Sequence, residues 1–266
     1  MKNINNKFKA GLKAGEIQYG VWNGLADTIV AEILAGSGFD WVLIDAEHGP
    51  FDLRTIQLQL QAISQFDIPV VVRPPVGERV LIKQLLDIGV QSLLIPNVET
   101  AKHAEACAKD MRYAPKGNRG VGTALARAAQ WNRVNGYFDR SNDEMCTVVQ
   151  VESIKAVENL DEILKVDDID AIFIGPADLA ATMGHLGNPG HPDVVEKVNE
   201  CLSKIKASDK EAGILTSSKT LIDNYIDKGA KMVGVGIDTL LLSKAAKELA
   251  ETFKPELKEI QSDTKY

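Results

Sequence analysis

The chain has 266 residues, 45% of them apolar and 25% charged, and a formal net charge of −7. That length supports a substantial core and that composition is ordinary for an ordered globular protein, which excludes a largely disordered chain. An acidic balance with no basic cluster excludes the electrostatic footprint of a nucleic-acid binder.

The N-terminal stretch MKNINNKFKAGLKAGE has no apolar h-region, so no secretory signal is expected. No apolar run reaches the ~18 residues that suggest a membrane span. Beyond it, short apolar, β-branched runs alternate with segments of helical period. The expected strands are 18–22, 41–45, 70–73, 92–96, 147–152, 171–175, 213–216 and 232–236. The intervening helices are expected over 28–35, 53–65, 83–88, 101–110, 156–164, 194–206, 220–227 and 240–252. Eight strand–helix units fit a parallel sheet closed into a (β/α)8 TIM barrel, and near-continuous apolar strands are what a sheet covered on both faces requires. An open doubly wound sheet is the main competitor, although it usually uses fewer units.

Residues 1–266 are read as one barrel domain. Two stretches break the rhythm: 113–145 between units four and five, and 183–193, MGHLGNPGHPD, after the sixth strand. Loops this long are often functional, with packing or a subunit contact as the alternative of equal weight. The charged tail after Pro255 is expected to extend away or fray. Cys107, Cys146 and Cys201 are scattered and odd in number, which argues against a disulfide framework or zinc site and for a reducing, cytoplasmic setting.

In such a barrel the active site gathers at the C-terminal ends of the strands. The polar residues there are Asp45, Glu47 and His48 on strand two, Arg73 on three, Gln150 and Glu152 on five, Asp178 just past six, Thr216 and Ser217 on seven and Asp238 on eight. Glu152 and Asp178 come from neighbouring units, and two carboxylates plus water suit a hard divalent ion. A helix N-terminal acid and an N-cap are the alternatives for each alone. His48 stands between carboxylates that can orient an imidazole, whereas His103 reads as a surface residue and His185 and His191 as lining of the entrance. Arg73 is either an oxyanion donor or a structural ion-pair partner of Asp45 or Glu47. The glycines of VGVGID read as close packing rather than a phosphate loop. A Schiff-base lysine is the chemical rival, with Lys219 the best candidate, although it opens a helix and reads as solvated.

Over about Phe8 to Phe253 the pieces GFDWVLIDAEHGPFD, PVVVRPP, IKQLLDIGVQSLLIPNVE, RGVGTALARAAQWNR, VVQVES, FIGPADLAATMG and VGVGIDTLLL resemble the HpcH/HpaI aldolase family of metal-dependent class II pyruvate aldolases. The resemblance implies a divalent metal (Mg, Mn or Co) on Glu152 and Asp178, and Arg73 on the keto oxygen and enolate charge. It implies His48 as catalytic acid–base with Asp45 as its partner, Gln150 as a substrate-binding group, and the Gly175-Pro176-Ala177-Asp178 backbone around the pyruvate carboxylate. Leu215 would lie near the second substrate's end, and Asp87 would reach a neighbouring subunit's site. The implied assembly is a homohexamer, a trimer of dimers, with C-terminal helices exchanged within pairs.

The implied reaction is retro-aldol cleavage of 4-hydroxy-2-oxoheptane-1,7-dioate to pyruvate and succinate semialdehyde, in aromatic-compound catabolism. A sugar-acid aldolase acting on 2-dehydro-3-deoxyglucarate is the alternative within the family. A non-catalytic keto-acid sensor is the alternative outside it. Small 4-hydroxy-2-oxo acids, pyruvate and aldehydes are the expected partners, without nucleic acid or membrane.

Overall fold

A computed structural model describes residues 4–254. The elements run α1 (Lys7–Lys13), β1 (Gln18–Asn23), α2 (Thr28–Ala35), β2 (Trp41–Asp45), α3 (Leu53–Ile63), β3 (Val70–Arg73), α4 (Arg79–Asp87), β4 (Ser92–Ile95) and α5 (Ala101–Asp110). They continue with α6 (Tyr137–Ser141), β5 (Cys146–Val151), α7 (Ile154–Glu158), α8 (Leu160–Ile163), β6 (Ala171–Ile174), α9 (Pro176–Thr182), α10 (Pro192–Lys206), β7 (Glu211–Leu215), α11 (Lys219–Asp227), β8 (Ala230–Ile237) and α12 (Asp238–Phe253). The eight strands pair in parallel and in chain order, and β8 returns to β1 to close the barrel. The doubly wound alternative is therefore excluded.

Strand periodicity sorts the side chains. Trp41, Leu43, Val71, Leu94, Val148, Phe173 and Met232 point inward and fill the barrel, sealed below by Phe8 and Leu12 of α1. Their neighbours Ile44, Val72, Leu93, Val149, Ile172 and Ile214 point outward, under the helices. The fill is a packed core, with Trp22 and Trp41 edge to face at 5.6 Å. Trp41 is fully buried. Trp41→Ala is expected to cost about 3–5 kcal/mol of stability, measured by chemical denaturation.

The caps explain several boundaries. Asp27, Asp52, Thr100 and Ser153 each accept from a backbone N–H in the first turn of the helix that follows. The expected helix 156–164 is instead two short helices, α7 and α8. They divide at Asn159, whose backbone leaves the helical region and whose side chain donates to Glu99 O at 2.8 Å. Helices α1 and α9 were not expected from periodicity, being only seven residues each.

The excursion 113–145 leaves the end of α5 and enters the start of β5, so it lies at the end of the barrel opposite the mouth. Tyr113, Tyr137 and Phe138 pack edge to face there, which favours the packing reading for this segment. All three cysteines are buried free thiols. Among the described residues no helix is long and apolar enough to cross a membrane. The charged tail after Pro255 lies outside the described residues.

Candidate active site

The same alternation that buries Trp41 and Leu43 carries Asp45 inward at the top of β2, and likewise Arg73 above Val71 and Gln150 above Val148. Asp45 and Arg73 are register partners on adjacent strands. Arg73 Nε donates to Asp45 Oδ1 at 2.8 Å and NH2 to Oδ2 at 2.6 Å, a two-point fork. The remaining nitrogen, NH1, lies 3.0 Å from Glu47 Oε2 and donates to Gln150 Oε1 at 3.5 Å. Burial opposes the Arg73 charge, but the Asp45 hydrogen bonds and the carboxylates of Asp45, Glu47 and Glu152 raise its pKa overall. The guanidinium is a permanent cation at the centre of the mouth.

Glu152 follows β5 and is buried. Its Oε1 accepts from the Asn97 backbone N–H at 2.8 Å, and its Oε2 accepts from Gln150 Nε2. Burial pushes its pKa up to about 7; the Asn97 bond opposes this, while the charges of Asp178 and Glu47 add to it. Asp178, in the first turn of α9, is thus close enough to act on both Glu152 and Glu47. Glu47 is also raised, by burial first and against the pull of Arg73 and His48. Its buried Oε2 accepts no well-aligned hydrogen bond among the described residues and is met only by charge, with Arg73 NH1 at 3.0 Å and His48 Nε2 at 3.9 Å.

Three mutually unfavourable carboxylates, Glu47, Glu152 and Asp178, share the single Arg73 cation. All the free donors are oxygens. That donor chemistry fits a hard divalent ion such as Mg²⁺ or Mn²⁺, with Co²⁺ also compatible.

Other expected residues fall differently. The carboxylate of Asp45 does not reach the imidazole of His48: both of its oxygens are taken by the Arg73 fork, and Oδ1 also accepts from the Glu47 and His48 backbone N–H groups at 3.1 and 3.5 Å. The carboxylate nearest the ring is Glu47, 3.9 Å from Nε2, and the His48 side chain is 70% exposed. The ion-pair reading of Arg73 is what the structure contains, with Nε and NH2 on Asp45 and NH1 3.0 Å from Glu47.

Asp87 ends α4, at the far end of the barrel, where it pairs with Arg119 at 3.0 Å. It does not join this chain's own mouth. Lys219 is 88% exposed and paired with Asp223, so the best Schiff-base candidate faces solvent. The Asp238 carboxylate is occupied by the backbone N–H groups of Gly24 and Leu25. His103 is half-buried rather than on the surface, with Nε2 3.4 Å from Gly77 O. Gly234 is a packing glycine: a Cβ there would stand 2.6 Å from Trp22 Cζ3.

Two contributors carried little sequence signal. Glu47 was visible at a strand end but had no distinct role. Asn97 was not singled out; it adopts φ 54°, a left-handed conformation that Asn tolerates, and so turns its N–H toward Glu152. The Pro96-Asn97 pair after strand four was the available clue.

Gly175 has a specific steric role. A Cβ there would lie 2.6 Å from Glu152 Oε2 and 2.8 Å from Gln150 Nε2. Gly175→Ala is expected to displace both side chains, abolishing tight divalent-metal binding while leaving the barrel folded. Circular dichroism and a Mn²⁺ titration check the two halves of that statement.

The comparisons with known proteins bear on the family and the fold. A 4-hydroxy-2-oxo-heptane-1,7-dioate aldolase of Escherichia coli is 49% identical over 94% of this chain and 95% of its own. A hydroxypyruvate/pyruvate aldolase of Deinococcus radiodurans is 52% identical over 96% of this chain and 92% of its own. The crystal structure of an HpcH/HpaI aldolase/citrate lyase family protein from Burkholderia cenocepacia superposes with a TM-score of 0.89 at 33% identity, covering 94% of this chain and all of that one. The family model of HpcH/HpaI aldolase/citrate lyase matches residues 18–245, which span the barrel from β1 into α12 and include every mouth residue described above. By sequence and by fold, the chain belongs to the HpcH/HpaI aldolase/citrate lyase family.

Proposed function

We propose that the chain is a divalent-metal class II pyruvate aldolase, a carbon–carbon lyase that cleaves 4-hydroxy-2-oxo acids to pyruvate and an aldehyde. The observation that carries the reading is the Arg73 cation beside the Glu47, Glu152 and Asp178 carboxylates at one end of the barrel. The favoured substrate is 4-hydroxy-2-oxoheptane-1,7-dioate, giving pyruvate and succinate semialdehyde, as the name of the Escherichia coli relative suggests.

Glu152 and Asp178 would hold the divalent metal, which would supply Lewis-acid stabilisation of the charge that builds on the 2-keto oxygen. Arg73 NH1 donates to the same developing enolate oxygen, its orientation fixed by the Asp45 fork. His48 takes the C4 hydroxyl proton, and the adjacent Glu47 stabilises the imidazolium that forms. The C4 oxygen becomes the aldehyde carbonyl as the C3–C4 bond breaks. The bond's electron pair passes to the enolate, which takes up a proton at C3 to give pyruvate.

The N–H groups of Ala177 and Asp178, in the first turn of α9, receive the pyruvate carboxylate. Pro176 has no N–H, so with Gly175 it shapes the turn instead. Gln150 orients Glu152 and lines the keto-acid end, and Leu215, ending β7 at the mouth, borders the aldehyde.

Two features outside the mouth belong to this reading. Leu240, Leu241, Leu242, Leu249 and Phe253 of α12 are exposed, which supports a C-terminal helix exchanged with a second subunit in a hexamer of paired barrels. In that assembly Asp87 would serve a neighbour's site. The cytoplasm and aromatic-compound catabolism are the setting this substrate implies.

A second reading, that hydroxypyruvate serves as an alternative nucleophile, is favoured by the name of the Deinococcus radiodurans relative at 52% identity. Steady-state turnover of a panel tests the proposal: 4-hydroxy-2-oxoheptane-1,7-dioate, 2-dehydro-3-deoxyglucarate, and hydroxypyruvate with aldehydes. EDTA should abolish turnover and Mn²⁺, Mg²⁺ or Co²⁺ restore it. Borohydride with pyruvate should trap no lysine adduct; EDTA-resistant turnover with a trapped adduct would overturn the proposal.

A further inference from the structure

Among the described residues one group of three metal-ligating side chains brings its donor atoms within 4.8 Å of one another, and it shares no residue with the mouth cluster described above: His185, His191 and Asp193. The segment that carries it links α9 to α10 and holds Gly184 and Gly187 in left-handed conformations, so the chain folds back on itself within a few residues. His185 is anchored by its N–H to Ala180 O at 2.7 Å. His191 is the N-cap of α10, and Asp193 lies in that helix's first turn.

The two imidazoles stack with centroids 3.6 Å apart and planes 14° from parallel. Both ring edges meet one carboxylate oxygen: Asp193 Oδ2 is 3.5 Å from His185 Nε2 and 3.7 Å from His191 Nδ1. Among the described residues these imidazoles are the only ion-pair partners of Asp193.

These separations are close to the edge of a tetrahedron around a transition metal, roughly 3.3–3.6 Å for bonds of about 2.0–2.2 Å. Two imidazole nitrogens and one carboxylate oxygen form a donor set of intermediate softness, suited to Zn²⁺, Ni²⁺ or Cu²⁺ rather than Mg²⁺. It therefore differs in kind from the all-oxygen set of Glu152 and Asp178. Seating an ion requires the stacked rings to splay by rotation about their Cβ–Cγ bonds. It also displaces the weak 3.3 Å bond from Asp193 N–H to His191 Nδ1. The side chains are 26%, 32% and 65% exposed, so the ion has a path in from solvent and water can complete its coordination.

We propose that His185, His191 and Asp193 form a second, structural site for a borderline transition-metal ion such as Zn²⁺, clipping the α9–α10 turn. Zinc titration of untagged full-length protein, followed by calorimetry and elemental analysis at pH 7.5, tests it. Glu152→Ala/Asp178→Ala protein, whose mouth site is silenced, is expected to retain one Zn²⁺ per chain and to melt at a higher temperature with Zn²⁺ than without. Adding His185→Ala and His191→Ala should remove that equivalent and the thermal shift, with unchanged circular dichroism. Should the fourfold variant not fold, single His185→Gln and Asp193→Asn changes on the same background should each weaken binding at least tenfold. With Cu²⁺ as probe, electron paramagnetic resonance should show coupling to two nitrogens. Folded mouth-silenced protein that binds no Zn²⁺, or binding indifferent to the loss of both imidazoles, overturns the proposal.

Discussion

Arg73→Ala is expected to lower kcat for cleavage by about 10²–10³-fold, the loss of roughly 3–4 kcal/mol that follows removal of an oxyanion donor. The substitution acts twice. It removes the NH1 donor facing the mouth, and it strips Asp45 and Glu47 of their cation. Asp45 is buried, so an unpaired charge there also costs stability, on the order of 3–5 kcal/mol if nothing relaxes. The folded fraction therefore has to be measured with the rate.

Arg73→Lys separates the two effects. A lysine keeps a positive charge near Asp45 but cannot fork across both of its oxygens and still reach the enolate. Its stability is expected near that of the wild type, with most of the rate loss remaining. Equal kcat in Arg73→Lys and wild-type protein would show that charge alone, without directed donation, suffices.

The second large effect concerns pH in protein stripped of metal. The Glu152 pKa in the folded protein, about 7, lies above its ordinary 4.5. Between those values the folded chain holds a proton that the unfolded chain has released. The contribution to stability is fully present below pH 4.5 and is lost as pH rises through 7. With EDTA present, the melting temperature of wild-type protein should therefore fall across this window more than that of Glu152→Gln. Glu47, also raised by burial, adds to the slope in the same direction.

Added Mn²⁺ should reverse the trend. Metal and proton compete for Glu152, so the apparent affinity should weaken about tenfold for each pH unit below 7 and level off above it. Thermal melts with and without Mn²⁺ from pH 5 to 8 check both statements. A slope identical in wild type and Glu152→Gln would contradict the assignment of the burden to Glu152.

Much of this was legible in the sequence, because strand and helix periods are local. The runs 41–45, 70–73 and 147–152 each announce a strand buried on both faces, and the strand-end rule then places Asp45, Arg73 and Glu152 at one mouth. What periodicity cannot resolve is the competition among polar groups once they meet. Asp45 was expected to orient His48, but the Arg73 fork on the next strand takes both of its oxygens, because the two are register partners. The contribution of Asn97 lies in its backbone N–H and a left-handed φ, neither of which depends on a side-chain pattern. Asp87, which the resemblance assigns to a neighbouring subunit's site, ends α4 at the opposite pole of the barrel from this chain's His48. The short helix α9 leaves no periodic signal because the seven residues after Gly175 carry too little amphipathic repeat, although the proline at its first position is a start signal.

The most direct measurement is anomalous X-ray scattering from crystals grown with Mn²⁺ and pyruvate. The expected map has one strong peak in the barrel mouth, about 2.1 Å from oxygens of both Glu152 and Asp178, with Arg73 NH1 turned toward the keto oxygen of pyruvate. A mouth free of anomalous signal at saturating Mn²⁺, with pyruvate bound and the two carboxylates directed elsewhere, would contradict the account.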